Sequence, residues 1–116
     1  GWETKRNRTP HNRDWVVVKL ARPGKINQAL IDTCHFKGNY PDTFSLDGIN
    51  LSEKESITTE NIEQLPWTEI LSKQKLQADH EHYYNDIPTE AIFTHVRLNI
   101  YPDGGISRMR LFGNVV

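Results

Sequence analysis

The amino-acid sequence predicts an all-β fold, an antiparallel β-sandwich. Short runs rich in β-branched and aromatic residues recur along the chain, about six or seven in number. Gly, Pro, Asn and Asp separate these runs at irregular intervals, and helical periodicity is almost absent. The 116 residues suit one domain, so a second domain is not expected.

The first half of the chain contains three predicted strands. Residues 15–18 form a β-branched run, which the turn-forming sequence Arg22-Pro23-Gly24-Lys25 should end. Residues 30–36 form the second run, and residues 43–46 form the third. The third strand should end at Asp47-Gly48, because this dipeptide favours hairpin turns.

The second half contains weaker strand candidates at residues 67–76 and 81–84. The clearest pair consists of residues 92–101 and 106–112, which are joined by Pro102-Asp103-Gly104-Gly105. We therefore expect a C-terminal β-hairpin.

Side chains along a strand alternate between two faces, which divides residues 95–101 into an apolar face and a polar face. The polar face carries His95, Arg97, Asn99 and Tyr101. A two-residue turn at either Asp103-Gly104 or Gly104-Gly105 would match polar face to polar face, and the first of these would place Arg97 opposite Arg110 and Asn99 opposite Arg108. Like charges across a ladder are destabilising unless they are neutralised. Either a bound carboxylate or phosphate neutralises them, or the arginines pair with the acidic residues 47–69, with Asp32 or with Glu3.

The net charge does not indicate a class of binding partner, since 14 basic and 15 acidic residues give a value of -1. This balance excludes the basic excess typical of nucleic-acid and anionic-membrane binders. No apolar run approaches the roughly 20 residues of a membrane span, and no signal-peptide core follows Gly1. We expect an intracellular protein with no nucleic-acid or membrane partner, and the lone Cys34 fits a reducing compartment. That cysteine should pack inside an apolar strand rather than act as a nucleophile.

Charge is nevertheless distributed unevenly along the chain. Residues 1–25 hold seven basic and two acidic side chains, 7 - 2 = +5, and residues 47–69 hold one basic and six acidic side chains, 1 - 6 = -5. The acidic connecting segment, residues 51–66, should be solvated. One short helix is expected near Thr58 and Thr59, with Pro66 ending it.

Two further clusters are candidates for chemistry. The first, around Pro10, is too irregular for one element and should form a loop that presents both acid and base. It consists of Glu3, Arg6, Arg8, His11 and Asp14. In the second, His80 and His82 share a strand face and would suit a metal if His35 or His95 supplied a third ligand. The alternative is an edge strand whose polar side chains point outward.

Four segments together resemble the repeat of the allantoicase family. They are Gly1-Trp2-Glu3-Thr4-Lys5-Arg6, Asp14-Trp15-Val16-Val17-Val18-Lys19-Leu20, Ile31-Asp32-Thr33-Cys34-His35-Phe36-Lys37-Gly38-Asn39-Tyr40-Pro41 and Thr94-His95-Val96-Arg97-Leu98-Asn99-Ile100-Tyr101-Pro102-Asp103-Gly104-Gly105. The resemblance spans nearly the whole chain, and the third segment is similar to the second of that family's two repeats.

The resemblance implies a jelly-roll β-sandwich of the galactose-binding-like type. It also implies hydrolysis of allantoate to ureidoglycolate and urea, a step in purine degradation. The implied partners are the other repeat and further copies in a homo-oligomer, in the cytoplasm or the peroxisome. Because a jelly roll needs about eight strands, the chain is expected to lack the first strand or strands of its repeat.

Residue chemistry and the resemblance together give candidate site residues. The candidate catalytic residues, which would handle the proton on water or on the departing urea, are Glu3, Asp32, His35 and His95. The candidate substrate-binding residues are Arg6, Asn39, Arg97, Asn99, Arg108 and Arg110. The sequence requires no cofactor and leaves the use of a divalent metal open. The alternative is a non-catalytic module that binds a glycan or a protein through Trp2, Trp15 and Tyr40.

Overall fold

The computed structural model describes residues 3–8, 14–38, 41–88, 90–101 and 104–115, the first range as backbone only. Within these ranges seven strands form, each antiparallel to its neighbours. They are β1 (Glu3–Arg8), β2 (Asp14–Asp32), β3 (Thr43–Ile49), β4 (Thr68–Lys75), β5 (Glu81–Tyr84), β6 (Phe93–Tyr101) and β7 (Arg108–Val115). A 3₁₀ helix spans Ile62–Gln64. No helix in the described ranges has the length and apolar character needed to span a membrane.

Strand β2 organises the fold because its two halves have different neighbours. Its first half pairs with β1 and β6, which extends the sheet in the order β1-β2-β6-β3-β4. Its second half lies between β5 and β7. The sheet therefore curls over, so that Ile26 and Ile31 of β2 share one buried core with β3 and β6. The predicted antiparallel sandwich is confirmed.

The turn predicted at Arg22-Pro23-Gly24-Lys25 is wrong, because β2 continues through it. The register with β6 shifts between Lys19 and Gly24, and beyond this irregularity β2 pairs with β7. Pro23 is exposed at the irregularity, where a missing N–H breaks no ladder. A Cβ on Gly24 would lie 2.7 Å from the carbonyl oxygen of Asn114, so glycine is needed for the close approach of β7.

The turn predicted at Asp47-Gly48 is wrong for a similar reason. Strand β3 runs through both residues and pairs with β4 on one side and β6 on the other. A Cβ on Gly48 would lie 2.5 Å from the ring of Phe93. This glycine therefore marks close packing between neighbouring strands.

The predicted C-terminal hairpin is also wrong. Both edges of β6 are occupied, one by β2 and the other by β3, so β7 pairs instead with the second half of β2. Arg97 lies opposite Val17 and Asp47, and Arg108 lies opposite Asp32. The arginines that the hairpin would have brought together lie beside different halves of β2.

The expected alternation along β6 is confirmed, since Val96, Leu98 and Ile100 belong to the main core. The opposite face is covered rather than solvated. It carries a second apolar cluster of Trp15, Val17, Ile49, Leu51, Ile57 and Ile62, with Leu65 and Trp67 packed against it. The last five of these side chains come from residues 51–67, which we name the cover segment.

The acidic connecting segment is therefore not simply solvated as expected. Its glutamates Glu53, Glu55 and Glu60 are exposed, whereas its apolar residues cover the outer face of the sheet. The short helix expected near Thr58 forms a few residues later. Just before it, the Thr58 N–H donates to Asn61 Oδ1 at 2.8 Å and the Asn61 N–H donates to Thr58 Oγ1 at 3.1 Å, while the N-cap residue Asn61 makes no side-chain capping hydrogen bond to the helix.

Candidate functional site

Arg97 lies at the centre of a buried polar network beneath the cover segment. Its Nε and Nη2 atoms donate to Asp47 Oδ2 at 3.0 and 2.8 Å, and Asn99 Nδ2 donates to the same oxygen at 2.8 Å. Glu63 Oε1 lies 3.6 Å from Nη1 of Arg97, and the Trp67 ring centroid lies 4.5 Å from its Cζ. The interpretation in which this arginine pairs with the acidic segment is confirmed.

This network limits what Arg97 and Asn99 can bind. Both residues are buried, and their donors converge on one carboxylate oxygen of Asp47. Within the described part of the chain, Nη1 of Arg97 and Oδ1 of Asn99 have no hydrogen-bond partner. In this conformation the other donors of both side chains are directed to Asp47 and Ser45 rather than to solvent.

A second charged group lies at the end of β2, and its centre is Arg108. Nη2 of Arg108 lies 3.1 Å from Asp32 Oδ2 and 3.0 Å from Glu81 Oε2. The other oxygen of Asp32 accepts the backbone N–H of Cys34 at 2.8 Å. The expected alternative pairing with Asp32 is confirmed, and two carboxylates beside one guanidinium leave little attraction for a further anion.

The same contacts determine the ionisation of Asp32 and Cys34. Hydrogen bonds from the Cys34 side chain and backbone, and the charge of Arg108, lower the pKa of Asp32. The Asp32 carboxylate and burial raise the pKa of the Cys34 thiol to about 11. Cys34 lies in the turn after β2, not inside a strand as expected. Its thiol stays protonated at neutral pH and is a poor nucleophile.

The histidines near this end of β2 do not form the metal site considered from the sequence. Nδ1 of His82 lies 3.0 Å from the carbonyl oxygen of Ile31, and its Nε2 accepts the Gln77 N–H at 2.9 Å. His35 is exposed, and its backbone N–H donates to Asp79 Oδ1. Among the residues with described side chains, no group of three His, Cys, Asp or Glu is arranged to hold a metal. His82 thus connects strand and loop backbone through both ring nitrogens.

A cavity with a volume of about 760 Å³ lies between β2, β6 and the cover segment. Lys19, Thr94 and His95 line its floor, and Glu53 and Glu55 contribute to the wall that the cover segment forms. A cation, an imidazole and two carboxylates therefore border one solvent-reachable space. Its volume is within the range of small-molecule sites.

Backbone register explains how this group of side chains arises. Lys19 of β2 pairs with His95 of β6, and on its other side it pairs with Glu3 of β1. Two of the four candidate catalytic residues, Glu3 and His95, therefore lie in one row across three strands. The strand Glu3–Arg8 replaces the loop expected there.

A further cavity of about 440 Å³ lies between β2, β6 and residues 104–109. Val16, Leu98 and Ile100 line it together with residues 104–109. Its lining is mainly apolar, and Arg108 is the cation on its wall. The carboxylate of Asp14 also lines it, and no histidine is among its lining residues in the described part of the chain.

The remaining candidates are dispersed. Arg6 pairs through its backbone with Val16, and Arg110 is exposed on β7 opposite Leu30. Asn39, His11, Trp2 and Tyr40 lie outside the described residues. Lys19 and Thr94 were not singled out from the sequence. A lone lysine or threonine in a strand carries no signal until the register across β2 and β6 is known.

Comparisons with known proteins point to one family over the whole length of the chain. The family model described as "Allantoicase repeat" matches residues 1–116. The probable allantoicase of Stutzerimonas stutzeri strain A1501 is 50% identical over 117 residues, which is 100% of this chain and 35% of that protein. The probable allantoicase of Pseudomonas fluorescens strain Pf0-1 is 47% identical, covering 99% of this chain and 34% of that protein. The chain thus spans about a third of the length of these relatives.

Solved structures give the same likeness in three dimensions. Allantoicase from Saccharomyces cerevisiae matches with a TM-score of 0.73 at 36% identity, over 98% of this chain and 31% of that chain. An F5/8 type C domain from Bacteroides fragilis matches with a TM-score of 0.69 at 11% identity, over 100% of this chain and 93% of that chain. The second likeness shows the fold alone, and it supports the galactose-binding-like sandwich that the sequence led us to expect.

Proposed function

This chain belongs to the allantoicase repeat family, and we propose that the protein it forms part of hydrolyses allantoate to ureidoglycolate and urea in purine degradation. The observation that carries the proposal is the match of the family model over residues 1–116, together with relatives near 50% identity that are named probable allantoicases. The enzyme would be a hydrolase of carbon–nitrogen bonds in linear amidines.

The proposed reaction sets clear chemical requirements. Allantoate carries one carboxylate and two ureido groups on a single carbon. Water supplies a hydroxyl to that carbon, one carbon–nitrogen bond breaks, and the departing nitrogen takes up a proton so that urea leaves. A site therefore needs a cation for the carboxylate and a group that accepts a proton from water and returns it to the leaving nitrogen.

We assign these roles to the cavity of about 760 Å³, since ligand pockets commonly measure roughly 300 to 1,000 Å³. The ammonium of Lys19 would hold the carboxylate of the substrate. The imidazole of His95, directly paired with Lys19 across the strands, would carry the proton. Glu3 lies next in the same row of backbone pairs and remains a candidate for a supporting carboxylate.

The alternative, a non-catalytic binding module, has less support. Trp15 is 3% exposed and belongs to the apolar cluster under the cover segment, so it cannot stack on a ligand from a loop. The similarity to the F5/8 type C domain, at 11% identity, carries no function. We therefore place this alternative second.

The relatives are about three times as long as this chain, and the part that it does not cover suggests which further elements complete the protein. Since the chain spans about a third of each, we propose that a second repeat completes the protein and that copies associate into a homo-oligomer. We place the reaction in the cytoplasm or the peroxisome.

Urea release from allantoate by the intact protein tests the proposal. His95→Gln should lower kcat by about 100-fold, within the range of roughly 10² to 10⁴ that general acid–base groups contribute. Lys19→Met should raise KM about tenfold by removing the charge that holds the carboxylate. Matched controls are His80→Gln and Lys37→Met, whose side chains are exposed and do not line this cavity.

Two results would contradict the proposal at different levels. Loss of activity in Arg108→Ala or Arg110→Ala, with full activity in both cavity variants, would move the site to the end of β2. A well-folded natural protein that releases no urea from allantoate would overturn the activity itself.

A further inference from the structure

Thr94 connects the cover segment to His95 through one oxygen atom. Its Oγ1 accepts the backbone N–H of Leu51 at 2.9 Å, and it lies 2.8 Å from Nδ1 of His95 and 3.2 Å from the carbonyl oxygen of Ile49. Leu51 is the first residue of the cover segment, and Ile49 is the last residue of β3. Thr94 and His95 also line the same cavity. One hydroxyl therefore meets the imidazole and the start of the cover.

Counting hydrogens at this oxygen favours one tautomer of His95. A threonine hydroxyl has one hydrogen to donate and two lone pairs to accept with. The Leu51 N–H occupies one lone pair. If the hydroxyl donated to Nδ1 of His95, no hydrogen would lie between Thr94 Oγ1 and the Ile49 carbonyl oxygen, and two acceptors would face each other at 3.2 Å.

The opposite arrangement satisfies all three contacts. The Thr94 hydroxyl donates to the Ile49 carbonyl oxygen, and its second lone pair accepts an Nδ1–H of His95. A neutral imidazole carries one proton, so the lone pair then lies on Nε2. When Nε2 takes up a proton, the Nδ1–H···Oγ1 contact persists unchanged. The same hydroxyl can therefore support the neutral ring and the imidazolium.

We propose that Thr94 is a positioning residue that holds His95 as the Nδ1–H tautomer and ties that tautomer to the seating of the cover segment. The proposal deepens the function proposed above and rests on His95 being the proton carrier. Nε2 accepts a proton from the attacking water, and the imidazolium returns it to the departing nitrogen of urea. Because Leu51 and His95 share one oxygen, displacement of the cover segment disturbs the tautomer as well as the cavity wall.

The test combines a structural readout with a kinetic one. In the intact protein labelled with ¹⁵N-histidine, the His95 resonances, assigned with His95→Gln, should show Nδ1 protonated and Nε2 unprotonated at a pH where the ring is neutral. Thr94→Val, which removes the hydroxyl at nearly constant shape, should shift the resonances toward the Nε2–H form. In urea release it should lower kcat about tenfold, a part of the roughly 10² to 10⁴ that acid–base catalysis contributes, with KM changed less than about threefold.

Two further variants separate positioning from general support of the fold. Thr94→Ser keeps the hydroxyl and should restore both the Nδ1–H signature and kcat to within about threefold of the natural protein. Trp67→Phe removes the hydrogen bond from Trp67 Nε1 to the Ile62 carbonyl oxygen at the C-terminal end of the cover segment, and it leaves the Leu51–Thr94 contact at the N-terminal end in place. It should leave the His95 resonances and the pH profile of kcat in place.

The outcomes are decisive. An Nε2–H tautomer of His95 in the natural protein would overturn the inference, and so would a Thr94→Val variant with unchanged kcat or a Thr94→Ser variant that fails to recover. If the natural protein shows the Nδ1–H tautomer and yet releases no urea from allantoate, the proposed activity fails while the assigned tautomer stands. The two failures are therefore distinguishable.

Discussion

Removing the charge of Asp47 is expected to be among the most destabilising single changes beneath the cover segment. The Arg97 and Asp47 side chains are only 8% and 16% exposed, and Asp47→Asn would leave the guanidinium buried without its main counter-charge. Breaking a buried ion pair by removing one partner typically costs about 3 to 5 kcal/mol. Because Glu63 remains 3.6 Å from Arg97, we expect a loss nearer about 2 to 3 kcal/mol.

Urea unfolding followed by tryptophan fluorescence measures this loss. The Trp67 ring stacks on the Arg97 guanidinium, so its emission reports directly on the network. A matched control is Glu90→Gln, which breaks the ion pair with Lys25, whose side chains are 94% and 40% exposed. It should cost less than about 0.5 kcal/mol, as exposed pairs usually do.

A double variant separates the cost of burying an unpaired charge from the stabilisation that the ion pair itself contributes. Arg97→Met combined with Asp47→Leu should be more stable than Asp47→Asn alone, since apolar side chains leave no uncompensated charge. A loss below about 0.5 kcal/mol in Asp47→Asn, equal to the Glu90→Gln control, would refute the reasoning and show that solvent reaches Arg97.

Three further predictions concern packing and ionisation. Gly48→Ala should lower the free energy of unfolding by about 1 to 3 kcal/mol, because the added carbon would lie 2.5 Å from the Phe93 ring. An unchanged urea midpoint would show that the ring can move. Hydrogen bonds from Cys34 and the charge of Arg108 lower the pKa of Asp32, so its ionised form stabilises the fold above the ordinary value of 3.8 and this contribution is lost as the pH falls below it. Asp32→Asn should therefore lose less stability than the natural protein between about pH 5 and pH 2, and equal losses would contradict this. With the pKa of Cys34 raised to about 11, chiefly by Asp32, iodoacetamide should label the thiol slowly at about pH 8 and faster in Asp32→Asn; equal rates would mean that access, not ionisation, limits labelling.

Strand positions could be predicted because they depend on neighbours along the chain. The predicted strand at residues 81–84 coincides with Glu81–Tyr84. The run at 67–76 extends one residue beyond β4 at each end, and the run at 92–101 begins one residue before β6. Side-chain alternation and β-propensity are properties of short segments, so the sequence displays them. The apolar face of β6 was predictable for the same reason.

Glycine-containing dipeptides were the main source of error, because a local signal had a non-local cause. Pro23-Gly24 and Asp47-Gly48 both favour turns in isolation. In the fold each glycine instead lies where another element approaches too closely for a side chain: the backbone of β7 at Gly24 and the ring of Phe93 at Gly48. The sequence contains no sign of that neighbour.

The chemistry of the site shows the same division. Residue types alone predicted that arginines need carboxylates, and that His95 could move a proton. Arg97 pairs with Asp47 because β3 occupies the second edge of β6. The pairing of Arg108 with Asp32 and the row of Lys19 beside His95 follow from β2 changing partners halfway along its length. Local patterns depend on a few neighbouring residues. Contacts between strands far apart in sequence depend instead on which strands pair with each edge of β2, and this is decided only when the whole sheet forms.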